Sequence, residues 1–415
     1  MPAGNLHGSG EHVRRASRWL APLQPGLTGV TDLDIAELRR FEDALIGLLC
    51  DNSVGGDVGP RVRSERLQRI RAAIATYGHL GLAVPGRHGG LGRPAVVQAF
   101  MQFICGYYDL DLRDSSGLGH GSLIAEQASP TVRDLWLPEL LAGAVCGIAV
   151  TEPHCGSHVR ATGTTATVTA DGTRTITGTK TWISRLTEAA VFCVFFAEPD
   201  GQLSAAAVDA RSEGLTRCPG TPVGLSGWTW GELRLEAVHV RPDEILGEPG
   251  AGMRLMRQHF AAYRPLVTAT ALGAAAGTHD RTVAALESRH RSGDIAGLWD
   301  NALITIGRTY AQINADLLAA CVTTALAEAG NPLAERWGCV VKAHGVDAAY
   351  QAVSELARVT GDSGVVAGSA TAKVVRDLNA LLYADGIHVS LYRSAGRSLT
   401  IEPTVGPPRE PILVA

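Results

Sequence analysis

The sequence predicts a mainly helical chain with a small β unit set into its middle. Three observations carry this. Apolar residues follow the helical period from Thr31 to about residue 145, a period-two grammar takes over from Cys146 to about Leu246, and the helical period then returns and holds to about residue 395. With 415 residues the chain has room for two or three domains. The expected division is a flexible tail over 1–30, a helical domain over 31–145, a β domain over 146–246, a helical bundle over 247–400 and a second tail over 401–415.

Thr31 is a plausible N-cap, and Leu33, Ile35, Leu38, Phe41, Leu45 and Leu48 behind it predict the first long helix. The Gly- and Pro-containing stretch 51–60 breaks it, and Leu67 to Tyr77 predicts another. Gly81 to Gly92 is too rich in Gly and Pro for regular structure. A phosphate cradle there is disfavoured, because the stretch lacks the Lys-Ser/Thr ending of a P-loop and does not fit a strand-to-helix turn. Helices are expected again over 94–108, 122–128 and 132–141.

In the β region, Thr167-Val168-Thr169 and Thr175-Ile176-Thr177 flank Asp171-Gly172, a strong hairpin signal. Val191 to Phe196, Ala205 to Val208 and Leu233 to Glu236 read as further strands of a small barrel or sandwich. After Gly247 to Gly252, the stripe Leu303, Ile306, Tyr310, Ile313, Leu317 and Cys321 is expected to be the buried seam of a bundle helix.

Composition narrows the function classes. Hydrophobic residues at 46% and charged residues at 19% give a globular chain. The net charge of −4 offers no basic excess to displace counterions from phosphates, which argues against a nucleic-acid partner. Eight scattered cysteines, without a Cys-x-x-Cys pair or zinc-like spacing, read as reduced thiols of a cytoplasmic protein with no metal centre. Residues 1–25 lack the apolar core of a signal peptide, and no run approaches the ~18 apolar residues of a membrane span.

The stretch most suggestive of chemistry is Thr151-Glu152-Pro153-His154-Cys155-Gly156-Ser157, followed by Gly178-Thr179-Lys180-Thr181-Trp182-Ile183-Ser184. Read from the residues, these segments form either a pocket holding the polar edge of a flat ligand against an indole, or an ordinary barrel hairpin. Their order and spacing resemble the flavin-contacting signature of the acyl-CoA dehydrogenase family, and a weaker match continues in register from Gly81 to about Arg397. The resemblance implies an N-terminal helical domain, a middle β-barrel and a C-terminal four-helix bundle. It also implies FAD as cofactor, with Thr151, Gly156, Ser157, Trp182 and Ser184 in contact with it. Arg289 resembles the arginine that reaches a neighbouring subunit's FAD, and Gly361 and Gly364 resemble the glycines near the adenine end, so a homodimer or homotetramer is expected.

The implied reaction takes a proton and a hydride from adjacent carbons of an acyl thioester, on CoA or an acyl carrier protein. Such chemistry needs a base close to a weakly acidic C–H. The family's usual base is a Glu before Gly; here that position is Asp385-Gly386, one methylene shorter. Tyr263 stands at the family's other base position, before Arg264, which is expected close to the active site. Tyr383 and His388 are possible substitutes for the base. The departures from the family pattern point to a specialised biosynthetic member. The alternatives are a flavin monooxygenase of the same superfamily, or a non-redox protein reusing the cavity to bind or cyclise an intermediate.

Overall fold

A computed structural model describes residues 14–27, 29–51, 60–156, 158–361, 366 and 368–400. The first helical region holds α1 (Ser17–Leu20), α2 (Asp32–Asp51), α3 (Pro60–Ala75), α4 (Ala95–Tyr108), α5 (Ser122–Gln127) and α6 (Pro130–Leu141). Thr31 caps α2 as its sequence predicts: the Thr31 hydroxyl accepts from the Asp34 amide at 3.3 Å, while Asp34 accepts from the Thr31 amide at 2.8 Å. Residues 17–20, expected within a loose tail, instead pack against the bundle. Trp19 is buried and its indole N–H donates to Asp280 at 3.1 Å, giving that buried carboxylate a donor. The Gly-rich stretch 81–92 folds back on itself through Leu91 and Gly92 amides donating to the carbonyls of Gly81 and Val84, both at 2.9 Å. A Cβ on Gly90 would lie 2.0 Å from the Val84 carbonyl oxygen, so the glycine is needed for self-packing.

The β region comprises β1 (Val145–Ala149), β2 (Thr165–Val168), β3 (Arg174–Ser184), β4 (Ala189–Ala197), β5 (Leu203–Asp209), β6 (Leu215–Gly220) and β7 (Trp230–Val240). They form one sheet in the order β1-β4-β2-β3-β7-β6, with β5 also on β4. The β2–β3 hairpin turns at Asp171-Gly172, where Gly172 has φ 82° and Asp171 accepts from the amide and hydroxyl of Thr173 at 3.2 Å. The sheet wraps its own core, in which Ile176, Phe192, Phe196, Val208 and Leu235 meet.

The closing helices are α7 (Gly252–Arg291), α8 (Asp300–Glu328), α9 (Ala334–Thr360), α10 (Ala370–Leu381) and α11 (His388–Thr400). α7 is the axis of the molecule: its 40 residues span about 60 Å and pack against α4, α8 and α9. Of the expected α8 stripe, Ile313, Leu317 and Cys321 are buried and Ile306 is half-buried. Leu303 and Tyr310 are exposed, against expectation, because the described elements leave that side of the helix uncovered around its first turns; Tyr310 nevertheless keeps a ring contact with Trp19 at 4.9 Å.

Candidate active site

Two halves meet at the site, one from the sheet and one from the bundle. On the sheet side, the Thr151–Gly156 turn is locked to β3 by a buried ion pair. Glu152 accepts from Lys180 Nζ at 2.7 Å, from the Gly163 and Thr164 amides at 2.7 and 3.0 Å, from the Thr164 hydroxyl at 2.6 Å and from the Thr162 hydroxyl. Lys180 in turn donates to the Val150 carbonyl at 3.1 Å. Burial opposes ionisation of Glu152, but this set of donors, Lys180 foremost, outweighs it and brings the carboxyl down to about 2. The Thr181 amide donates to the Thr151 carbonyl at 2.9 Å, which fixes the turn beside the end of β3.

The lock aims a tryptophan outward. The β3–β7 register shifts between Lys180 and Ile183, and within that bulge Trp182 takes φ 59°, a backbone region that bulky side chains rarely enter. Its indole is 72% exposed although β3 is otherwise largely covered. Ser184, half-buried, follows where β3 pairs with Trp230.

On the bundle side, Asp385 occupies a tight corner between α10 and α11 with φ 56°. Its backbone is held from behind. Arg264 Nε donates to the Asp385 carbonyl at 3.1 Å, while Lys342 Nζ donates to the carbonyls of Leu381 at 2.8 Å and Gly386 at 2.9 Å. Arg264 also lies over the Phe260 ring at 4.9 Å. Among the described residues, no hydrogen bond or ion pair engages the Asp385 carboxylate itself. Its charge acts on Arg185, Tyr263, Arg264 and Lys342, so these five side chains form one electrostatic neighbourhood. Lys342 is fully buried, and that desolvation brings its ammonium down to about 7. Of the possible substitute bases, Tyr383 faces solvent and His388 shares a 2.7 Å hydrogen bond with Asp347.

Several members of this neighbourhood escape sequence reasoning. Lys342 carries no motif, but it stands in the buried series Lys342, Val346, Ala349, Val353 and Leu356, spaced by four and three, and that series could have disclosed it. Arg185 follows Ser184, has φ 60° and forms a buried ion pair with Asp114. Burial works against its charge, yet Asp114, Tyr263 and Asp385 hold its pKa above the ordinary arginine value. The Asp114 loop is itself anchored by Arg71, which donates to the carbonyls of Gly143, Gly117, Ala144 and Asp114. Beside Tyr263 lie two buried histidines, His120 and His259, sharing a hydrogen bond of 2.9 Å. Desolvation lowers both, His259 to about 3, so the pair is neutral at physiological pH.

The remaining expected residues lie elsewhere. Ser157 and Gly364 fall outside the described residues. Gly156 takes φ 49° with open space around it. Arg289 is exposed near the C-terminal end of α7, and Gly361 ends α9 with φ 76°. Between those two helix ends is a cavity of about 300 Å³ lined by Leu286, Asn301, Arg308, Glu355 and Arg358. Arg289 lies 25 positions beyond Arg264 on α7, about 37 Å along the helix. Two groups of three potential metal ligands occur among the described residues, and each faces a protein cation: Lys180 beside Glu152, His154 and Cys155, and Lys373 among Asp109, Asp111 and Asp377 at 2.5 to 2.9 Å. No helix among the described residues is long and apolar enough to cross a membrane.

Comparison with known proteins agrees with this architecture. Residues 147–238 match the acyl-CoA dehydrogenase middle domain, and residues 250–397 the acyl-CoA dehydrogenase C-terminal domain. The chain is 25% identical to the probable acyl-CoA dehydrogenase FadE25 of Mycobacterium tuberculosis over 366 residues, 85% of this chain and 93% of that protein. Among solved structures, butyryl-CoA dehydrogenase from Megasphaera elsdenii shares the fold with a TM-score of 0.77 at 20% identity, over 90% of this chain and 99% of that one. The prolyl acyl carrier protein oxidase AnaB does so with a TM-score of 0.75 at 19% identity, over 90% of this chain and 100% of that one. With two family domains matched in order over more than half its length, the chain belongs to the acyl-CoA dehydrogenase family, flavoprotein oxidoreductases that act on CH–CH groups.

Proposed function

We propose that this protein is an FAD-dependent dehydrogenase of an acyl thioester, with Asp385 as the base that removes the α-proton. The observation that carries the proposal is the Asp385 corner: Arg264 and Lys342 hold its backbone carbonyls while its carboxylate keeps its lone pairs for a substrate. A base positioned through its main chain can face a weakly acidic C–H without being neutralised by its own supports. The left-handed corner supports the same reading. A non-glycine residue in this backbone region costs energy and persists where its surroundings hold it, here through Arg264 and Lys342.

FAD fits the sheet side. An uncovered indole in a strained bulge, with Ser184 two positions on along β3 and the Thr151 carbonyl bonded to the adjacent Thr181 amide, offers an apolar face with hydroxyl-bearing residues near it for a flat tricyclic ring. Thr151, Gly156, Ser157, Trp182 and Ser184 would hold that ring, and bound FAD would take the hydride from the β-carbon. Arg289, Gly361 and Gly364 would serve the dinucleotide of a neighbouring subunit, since about 37 Å along α7 separates Arg289 from Arg264 in one chain. On this reading the working form is a homodimer or homotetramer.

The thioester is carried by CoA or an acyl carrier protein. A departure such as Asp385 in place of the family's glutamate favours a specialised biosynthetic role, and a carrier-protein oxidase shares the fold. The test is a visible spectrum of the purified protein followed by anaerobic bleaching with CoA- and carrier-tethered acyl groups. Bleaching by at least one thioester is expected. A colourless protein that gains no flavin spectrum when FAD is added defeats the proposal.

A further inference from the structure

Arg185 belongs to both halves of the site, and the proposed reaction assigns it no part. It directly follows Ser184 at the end of β3, on the flavin side. Where Trp182 is 72% exposed, Arg185 is only 3% exposed, and its charge and that of Asp385 act on each other. Five non-glycine residues take a left-handed backbone among the described residues, and three of them are Trp182, Arg185 and Asp385, with φ 59°, 60° and 56°. Such backbones cost energy, and they gather where the geometry serves a function.

The guanidinium sits in a set of charges that does not balance. Arg185 Nη1 donates to Asp114 Oδ2, and both side chains are more than nine-tenths buried. A buried ion pair is weak ground for stability, since apolar residues of the same volume often do as well, so this pair calls for another reason. Asp114 is also shared. Arg113 Nε lies 3.6 Å from the same Oδ2, and Arg71 donates to the Asp114 carbonyl, so one carboxylate faces three guanidinium groups. Asp111 stands 3.9 Å from Arg113, but it is engaged by Lys373 at 2.9 Å and by Arg63 at 3.7 Å. The remaining groups that act on Arg185 are Tyr263, whose phenol burial holds protonated, and Asp385.

The proposed reaction carries one negative charge past this cation. The α-C–H bond breaks with its proton going to Asp385, and the β-C–H bond breaks with its electron pair going to bound FAD, as a carbon–carbon double bond forms. The acyl group is oxidised by two electrons and the flavin reduced by two. Asp385 thereby loses a negative charge and the flavin gains one. We propose that Arg185 is the counter-ion common to both, compensating the Asp385 carboxylate before the transfer and the reduced flavin after it. This rests on the dehydrogenase reading above, with FAD at Trp182 and Ser184. A cation already fixed in a buried position needs no reorganisation when the charge moves, and it is little screened by water.

The test is the flavin reduction potential of the FAD-loaded protein without thioester, read against a reference dye during slow anaerobic reduction. Arg185→Met is expected to disfavour the reduced flavin about tenfold, a fall of about 30 mV for a two-electron couple. Asp114→Asn removes the competing anion with little change of shape and is expected to move the potential upward by a similar factor. Arg185→Lys keeps the charge and is expected to stay within about threefold of the parent protein, a shift of less than about 15 mV. Opposite signs are the signature of charge, because breaking the ion pair from either end disturbs the packing alike. Shifts of the same sign in Arg185→Met and Asp114→Asn, or no shift in either, overturn the inference. Thermal unfolding and bound-FAD content check the fold. Should Arg185→Met fail to fold, an unchanged or lowered potential in Asp114→Asn overturns it alone. Unmoved potentials beside normal bleaching by a thioester leave the dehydrogenase standing and remove this role from Arg185. A protein that takes up no FAD ends both.

Discussion

The Glu152–Lys180 lock and the Asp385 corner hold acidic residues in opposite ways. Glu152 spends its carboxylate on structure, accepting hydrogen bonds from Lys180, Thr162, Gly163 and Thr164 until nothing is left for a ligand. Asp385 is fixed just as firmly, but through main-chain carbonyls, and its carboxylate stays free. The contrast separates two uses of acid groups in one molecule. The saturated oxygens of Glu152 shape the fold, whereas the carboxylate of Asp385 is left for the role proposed for it.

The comparison breaks most visibly at the corner. Asp385→Asn is expected to slow anaerobic flavin bleaching by about 10² to 10⁴-fold while leaving thermal unfolding near that of the parent protein. A mutant that unfolds early would instead class Asp385 with Glu152. The converse substitution, Lys180→Met, strands a buried carboxylate and is expected to cost about 3–5 kcal/mol of stability in a denaturant titration. Loss of bleaching without loss of stability there would mean that the lock is itself part of the chemistry.

Smaller effects sharpen the picture. Arg264→Met releases the Asp385 carbonyl and lets the base shift by a fraction of an ångström to one ångström, so kcat is expected to fall by up to about 10²-fold with substrate affinity largely kept. The acid response should show both regions at once. His120 and His259 have pKa values below the 6.5 of a free histidine, so they take up protons only on unfolding as pH falls below about 6.5. Stability is therefore fully present above that pH and declines below it. Glu152, lowered from 4.5 to about 2, adds a second decline across that lower window. A pH series of unfolding midpoints that stays flat from pH 7 down to 4.5 would contradict the neutral histidine pair.

Much of this was legible in the chain. The hairpin at Asp171-Gly172, the Thr31 cap and the helix-strand-helix order follow from local chemistry, which the sequence carries directly. Asp385 and Arg264 could be named because a motif marks them, but the resemblance supplied no account of how they interact. The structure shows Arg264 acting on a backbone carbonyl, a contact between residues 121 positions apart. Lys342, Arg185 and the His120–His259 pair were missed for a related reason. Their partners come from distant segments, and a lone Lys, Arg or His in a sequence does not announce what will bury it. The exposed Leu303 and Tyr310 show the reverse limit, since periodicity gives a face but not the element that covers it.

The central claim is that Asp385 alone takes the α-proton, and solvent exchange reads that step without waiting for hydride transfer. FAD-loaded protein should be incubated anaerobically in D2O with an accepted acyl thioester, and deuterium at the α-carbon followed by mass spectrometry. Incorporation by the parent protein, and a rate lower by at least about 10² in Asp385→Asn, is the expected result. Equal incorporation by both proteins would contradict it.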